Sequence, residues 1–236
     1  YKMDYDSSVI LLFLRFRHAA RAARKCAMTN RPTARRMTRA ERSDAIRKAL
    51  FHAAEQVVAE LGYADASVAR IAQAAGVAQG TFYLYFESRQ DLFDRLLPHV
   101  GDAAIAYIRE RVQGGKDIFE VEERGFRAFF EYLHENPGFF RILNEAEVYA
   151  PVAFERHMRE RSASYVEVLR RARDKGDFTG FNDDELEVIV AILAAARARI
   201  YERFITDPRN PELPGWVADT YMRMIRYGLA GQVVHP

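Results

Sequence analysis

Between Gln79 and Arg89 the chain sets an amide, a hydroxyl, two phenols and a guanidinium in one short stretch, Q-G-T-F-Y-L-Y-F-E-S-R. Gln79 and Thr81 can hydrogen-bond base edges or phosphates. Tyr83 and Tyr85 can donate hydroxyls to phosphates, and Arg89 adds positive charge. Gly80 has no side chain and lets backbone come close to a duplex. These residue types suit a surface laid against nucleic acid. Val77, Phe82 and Phe86 would form the apolar side that roots it.

Such a surface needs a support that holds it outward. Val68, Ile71, Ala72 and Ala75 recur at helical spacing, so a helix is expected over 68–75 with Ser67 as its N-cap. Gly76 follows the last apolar position, where a left-handed backbone suits a residue without Cβ. A second helix then begins near Gln79. Two short helices joined at a glycine turn have the shape of a helix-turn-helix, whose second helix enters the major groove. From spacing alone, an ordinary helical hairpin with half-buried tyrosines remains an alternative. The residues expected to face DNA are Arg39, Ser67, Arg70, Gln79, Gly80, Thr81, Tyr83, Tyr85 and Arg89.

Residues 76–92, G-V-A-Q-G-T-F-Y-L-Y-F-E-S-R-Q-D-L, resemble the recognition-helix signature of the tetracycline-repressor (TetR) family, as does G-Y-x-x-x-S-V-x-x-I-A from Gly62 to Ala72. The resemblance is specific over about residues 44–92 and architectural beyond them. Three positions depart from the pattern. Ala78 stands where a serine often caps the recognition helix, Leu84 replaces a frequent tyrosine or histidine, and Arg89 replaces a frequent lysine. The resemblance implies a homodimeric repressor that binds a pseudo-palindromic operator and is released by a small hydrophobic or aromatic effector. A DNA-tethered protein-interaction module without an effector is the alternative.

The 236 residues carry a net charge of +2, but the charge is uneven. Residues 1–42 hold 11 Lys/Arg against 3 Asp/Glu, whereas residues 43–236 hold 24 against 30. A basic arm placed there could gain affinity for DNA by counterion release. Its Leu11 to Lys25 stretch could also form a basic amphipathic helix against DNA or a membrane surface, but an untethered extension is the expected reading. The single cysteine, Cys26, excludes a disulfide framework. The longest apolar run, Val9 to Phe16, is well short of the ~20 residues that span a bilayer. No membrane segment or signal peptide is expected, and the chain reads as cytoplasmic. Phosphate-loop, HExxH, CxxC and GxSxG motifs are absent from the sequence. No catalytic residue, metal or cofactor is therefore expected, and the chain is not expected to be an enzyme.

The expected fold is all-α. An N-terminal basic extension (1–37) precedes a three-helix helix-turn-helix domain (38–92) and a larger helical effector-binding and dimerisation domain (93–236). Thr38-Arg-Ala-Glu41 reads as a capping box. It opens a first helix striped by Ile46, Leu50, Ala53, Val57 and Leu61. Ser88 caps a long helix to about Val112, with a kink expected near Asp94–Pro98, eased by Gly101. Further helices are expected at about 117–135, 137–149, 152–175, 183–205 and 215–230. Their boundaries are marked by Asn136-Pro137, Pro151, Gly176, the Asn182/Glu185 cap and a Pro208/Pro211/Pro214 loop.

Aromatic side chains crowd these later helices and can frame an apolar pocket. The expected ligand contacts are Tyr107, Phe126, Phe130, Phe140, Asn144, Glu147, His157, Arg197 and Tyr201, with Glu145 a further polar candidate. Val188 to Ala198 is apolar nearly all round, and Trp216 to Leu229 carries a second apolar surface. Together they fit a two-fold four-helix interface.

Overall fold

A computed structural model describes residues 37–205 and 212–229, all in helices and their connections. The basic arm from Tyr1 to Arg36, with Leu11 to Lys25 and Cys26, and the loop at Pro208 and Pro211 lie outside the described residues. The chain divides into two compact units, residues 1–42 and 43–236. In the first, the capping box forms: the Glu41 N–H donates to Thr38 Oγ1 at 3.1 Å, and the Thr38 N–H donates to the Glu41 carboxylate at 2.7 Å.

Nine helices follow among the described residues. They are α1 (Arg39–Leu61), α2 (Val68–Ala74), α3 (Gln79–Phe82), α4 (Arg89–Val112), α5 (Ile118–Glu135), α6 (Phe139–Tyr149), α7 (Pro151–Lys175), α8 (Asp183–Phe204) and α9 (Gly215–Leu229). Short polar side chains open most of them. Ser67, Ser88, Asp117 and Asn182 each accept an N–H from the first turn, and Asn182 completes a capping box with Glu185.

In the second unit α1 buries Leu50, Ala53, Ala54, Val57 and Val58. Leu61, expected in this stripe, is exposed where the helix ends. Ile71, Ala72, Phe82 and Phe86 close over that face, and Leu92, Phe93, Leu96 and Leu97 of α4 complete the small core. Apolar burial of this kind contributes about 25 cal/mol per Å² removed from water. The same α4 continues, unbroken at Pro98, into the larger bundle, where it packs on α5, α6 and α7. Gly101 serves there as space rather than as a hinge. A Cβ on it would sit 2.3 Å from Cε1 of the His157 ring, which is buried against α4.

The last two helices pack chiefly on different neighbours, α8 on α7 and α9 on α5. Each buries one face only. Leu186, Val190 and Leu193 of α8 point inward, while Val188, Ala191, Ile192 and Ala195 form an exposed apolar stripe at i, i+3, i+4 and i+7. On α9, Tyr221, Met222 and Ile225 are buried, while Trp216, Met224 and Tyr227 are exposed. The all-round apolar helix of the sequence therefore keeps one side uncovered in the single chain.

Candidate nucleic-acid interface and ligand cavity

Ser67 Oγ accepts the Arg70 N–H at 3.3 Å and so starts α2. At the far end Gly76 adopts φ +68°, a conformation that a Cβ would strain. The turn closes as the Gly76 N–H donates to Gln73 O at 3.1 Å and the Val77 N–H donates to Ala72 O at 3.0 Å. The following α3 is one turn long, and Ala78 caps it without a side-chain hydrogen bond. What holds this turn is its apolar side: Phe82 and Phe86 are fully buried and their rings pack 5.4 Å apart.

Gln79 and Gly80 are exposed on the opposite side, and Tyr83 is 52% exposed. Leu84 is 80% exposed. Thr81 is half-buried. Tyr85, expected to face outward, is half-buried against the core, because it follows the same turn as Phe86. Two exposed guanidinium groups flank the loop before α2. Arg70 Nη1 donates to Asp65 O at 2.7 Å, and Arg89 Nη1 donates to Ala64 O at 3.3 Å, with the Arg89 guanidinium 5.3 Å from the Phe93 ring centre. Each keeps further donors free for another acceptor. Arg39 belongs to the other unit and is exposed in the first turn of α1.

A polar clasp, not anticipated in the sequence, joins the small core to α6. Arg141 Nη1 donates to Ala59 O at 3.2 Å and to Glu60 O at 2.9 Å, which satisfies carbonyls at the α1 C-terminus. Glu145 accepts the Tyr63 N–H at 2.8 Å and Arg141 Nε at 2.7 Å. Burial works against ionisation of Glu145, but the Arg141 and Tyr63 hydrogen bonds outweigh it and hold its carboxyl below the usual range. Nearby, Gln90 Nε2 donates to Tyr149 O at 2.8 Å, and the Tyr63 and Tyr149 rings stack at 5.8 Å. Gly138 lies so close to α1 that a Cβ on it would meet the Ala59 Cβ at 2.2 Å. Glu145 thus ties α6 to the turn that follows α1. Its i,i+4 spacing from Arg141 was the one clue in the sequence.

A half-open cavity of about 460 Å³ lies between α4, α5, α7 and α8. Its wall is aliphatic rather than aromatic: Ile105, Ile108, Val112, Val121 and Val168, with Phe129 and a gap left by Gly125. Of the nine expected ligand contacts only Arg197 lines it. Phe126 stacks on Tyr221 at 4.0 Å, Phe130 is buried beside it, and Phe140 packs on Tyr201 at 4.0 Å. These rings fill the core because a large flat side chain covers more neighbours than a cavity wall offers. Asn144 and Glu147 lie on the exposed side of α6, and His157 is taken up by Gly101. The Tyr107 hydroxyl donates to Glu135 at 3.0 Å; burial and that carboxylate push its pKa up to about 12.

Glu122, Arg161, Arg109 and Tyr165 line the cavity instead. Glu122 is a buried carboxylate. It accepts Arg197 Nη2 at 2.5 Å and the Tyr221 hydroxyl at 2.6 Å on one oxygen, and the Tyr165 hydroxyl on the other. Burial drives the Tyr165 and Tyr221 hydroxyls well above the ordinary tyrosine pKa. This pairing is what allows a charge of each sign to remain inside an apolar bundle. The signal in the sequence was Glu122 itself, which shares a helix face with Phe119 and Phe126. Among the described residues no three His, Cys, Asp or Glu side chains converge as metal ligands, and no helix is long and apolar enough to cross a membrane.

Residues 50–96 match the family model of bacterial regulatory proteins, tetR family. An uncharacterized HTH-type transcriptional regulator of Haemophilus influenzae is 28% identical over 98 residues, 42% of this chain and 52% of that protein. The fatty acid metabolism regulator protein of Bacillus subtilis is 49% identical over 43 residues, 18% of this chain and 22% of that protein. The chain thus spans about half the length of such relatives, or less. The fold is shared more widely. The crystal structure of the regulator FadR from Bacillus subtilis, in complex with stearoyl-CoA, superposes with a TM-score of 0.67 at 18% identity, covering 77% of this chain and 98% of that one.

Proposed function

We propose, from the match of residues 50–96 to the tetR family of bacterial regulatory proteins, that this chain is a homodimeric transcriptional repressor released from its operator by an apolar small molecule. The observation that carries the reading is the two-sidedness of residues 77–86. Phe82 and Phe86 are rooted in the core, while Gln79, Gly80, Tyr83 and Leu84 are turned outward. In the proposed complex α3 lies in the major groove. Gln79 and Thr81 read base edges, while Ser67, Arg70, Tyr83, Tyr85 and Arg89 hold phosphates. Arg39 is proposed as a phosphate contact in its own right.

Residues 38–92 would form the reader, and residues 93–236 the effector-binding and dimerisation part. The exposed stripes of α8 and α9 would pair with those of a second copy, setting two readers about 34–36 Å apart. The effector would occupy the cavity and shift α4 and α6, to which the reader is tied. An effector moves this equilibrium only by as much as it prefers the released conformation. Compounds with an acyl chain are the first class to try, given what the FadR structure binds. The cavity favours this reading over a docking module with a solid core.

The test is binding to operator and random DNA at several salt concentrations. Ala at Tyr83 or Arg89 is expected to weaken binding to all sequences and flatten the salt dependence. Ala at Gln79 or Thr81 is expected to change sequence preference. If all four variants bind both DNAs like the wild type, the reader has been misassigned.

A further inference from the structure

The polar groups that line the cavity are unequal in kind, and the imbalance points to the chemistry of the occupant. This inference rests on the reading of the cavity as the effector site. Among the described lining residues the one carboxylate, Glu122, has both oxygens engaged by Tyr165, Arg197 and Tyr221. The Ser164 hydroxyl donates to the Glu160 carbonyl at 2.8 Å. The carboxylate is thus fully engaged, while guanidinium donors remain in surplus.

Arg161 Nε is buried with no hydrogen-bond partner among the described residues. The ion pair of that side chain, to the well exposed Asp102, is loose at 3.7 Å. A buried donor without an acceptor is unfavourable and is rare in folded proteins. Arg197 commits Nη2 to Glu122 and Tyr165, while its Nε and Nη1 make no hydrogen bond to described residues. Arg109 has no ion pair among the described residues. Set against Glu122 in the lining and Asp102 at its edge, the three arginines Arg109, Arg161 and Arg197 leave an excess of one positive charge beside an aliphatic wall.

We infer that the cavity takes an organic anion with an aliphatic body, its anionic group held by Arg161 with Arg109 adding attraction and its chain lying along Ile105, Ile108 and Val168. The anionic group supplies the acceptor that Arg161 Nε lacks and neutralises the excess charge. A free carboxylate and the phosphates of a coenzyme A thioester offer the same chemistry. A neutral ester offers an acceptor but no charge.

Isothermal titration of the full chain with octanoate, methyl octanoate and octanoyl-CoA, at low ionic strength, separates these cases. The wild type is expected to bind at least one of the two anions ten-fold or more tighter than the ester. Preference for octanoate identifies a carboxylate, and preference for octanoyl-CoA alone identifies phosphates. Arg161→Gln is expected to remove most of that preference while changing the ester affinity less than two-fold. Arg109→Gln, at an exposed position that folding does not need, is expected to reduce it two- to three-fold and more so at low salt. Ester binding equal to both anions overturns the inference and leaves an effector cavity standing. An anion preference untouched by Arg161→Gln overturns the assignment of the head-group site. If none of the three binds, the effector reading itself fails, and this inference with it.

Discussion

His157 and Gly101 show how two residues with no chemistry to perform can still be tightly constrained. The ring fills the place of a side chain that Gly101 lacks, so Gly101→Ala forces a displacement. Overpacking of this kind costs about 1–3 kcal/mol, and the urea midpoint of Gly101→Ala is expected to fall accordingly. Combining it with His157→Ala should recover part of that loss, because the two side chains compete for one space. Burial, and next the positive charge of Arg161, push the His157 pKa below its ordinary 6.5. Between that lowered value and about pH 6.5 the unfolded chain binds the proton and the folded chain does not. The stability linked to His157 is therefore fully present above about pH 6.5 and is lost as pH falls below it. Urea unfolding from pH 7.5 to 5.5 is expected to show this decline, and His157→Asn to reduce it. Histidine spacing along the chain gave no warning of either constraint, since the partner is fifty-six positions away on another helix.

At the level of elements, the parts that sequence made legible are those whose causes are local. Ser67, Ser88, Asp117 and Asn182 start helices with hydrogen bonds to their own first turns, and Gly76 ends α2 through its own φ. The weak start of α3 belongs to the same class. Ala78→Ser is expected to supply the missing cap, stabilising α3 by about 1 kcal/mol, and to slow amide exchange over residues 79–86. The cavity was not legible, because its wall depends on which faces of four helices meet. Aromatic residues drew attention as ligand contacts, yet Phe126, Phe130 and Phe140 serve the core, and branched aliphatic side chains frame the space. The clasp was hidden for the same reason, since Arg141 and Glu145 act on residues 59–63. Glu145→Ala leaves the Tyr63 N–H without its acceptor, at about 1–3 kcal/mol if that group stays dry. Amide exchange over residues 59–66 is expected to accelerate, while α9 is unaffected.

For the whole molecule, the all-α fold and the helix order were visible because nearly every boundary carries a cap, a glycine or a proline. Assembly is a different matter. The stripes on α8 and α9 leave Ile192 54% and Trp216 60% exposed, apolar side chains on the surface of the single chain. Ile192→Glu and Trp216→Glu are each expected to shift sedimentation toward the monomer and to lower operator affinity sharply. The variants should keep their helical circular dichroism, since both side chains lie outside the buried core and Trp216 meets the half-buried Phe204 edge-on at 5.4 Å. Between the proposed reader and the bundle, the contact of Gly138 with Ala59 has a mechanical implication. Most helix pairs are separated by side chains that rearrange when pushed, and so absorb small displacements. Here nothing compressible lies between the two backbones. A fraction of an ångström of travel at the start of α6 must be delivered undamped to the end of α1, so the joint works as a stop rather than a spring.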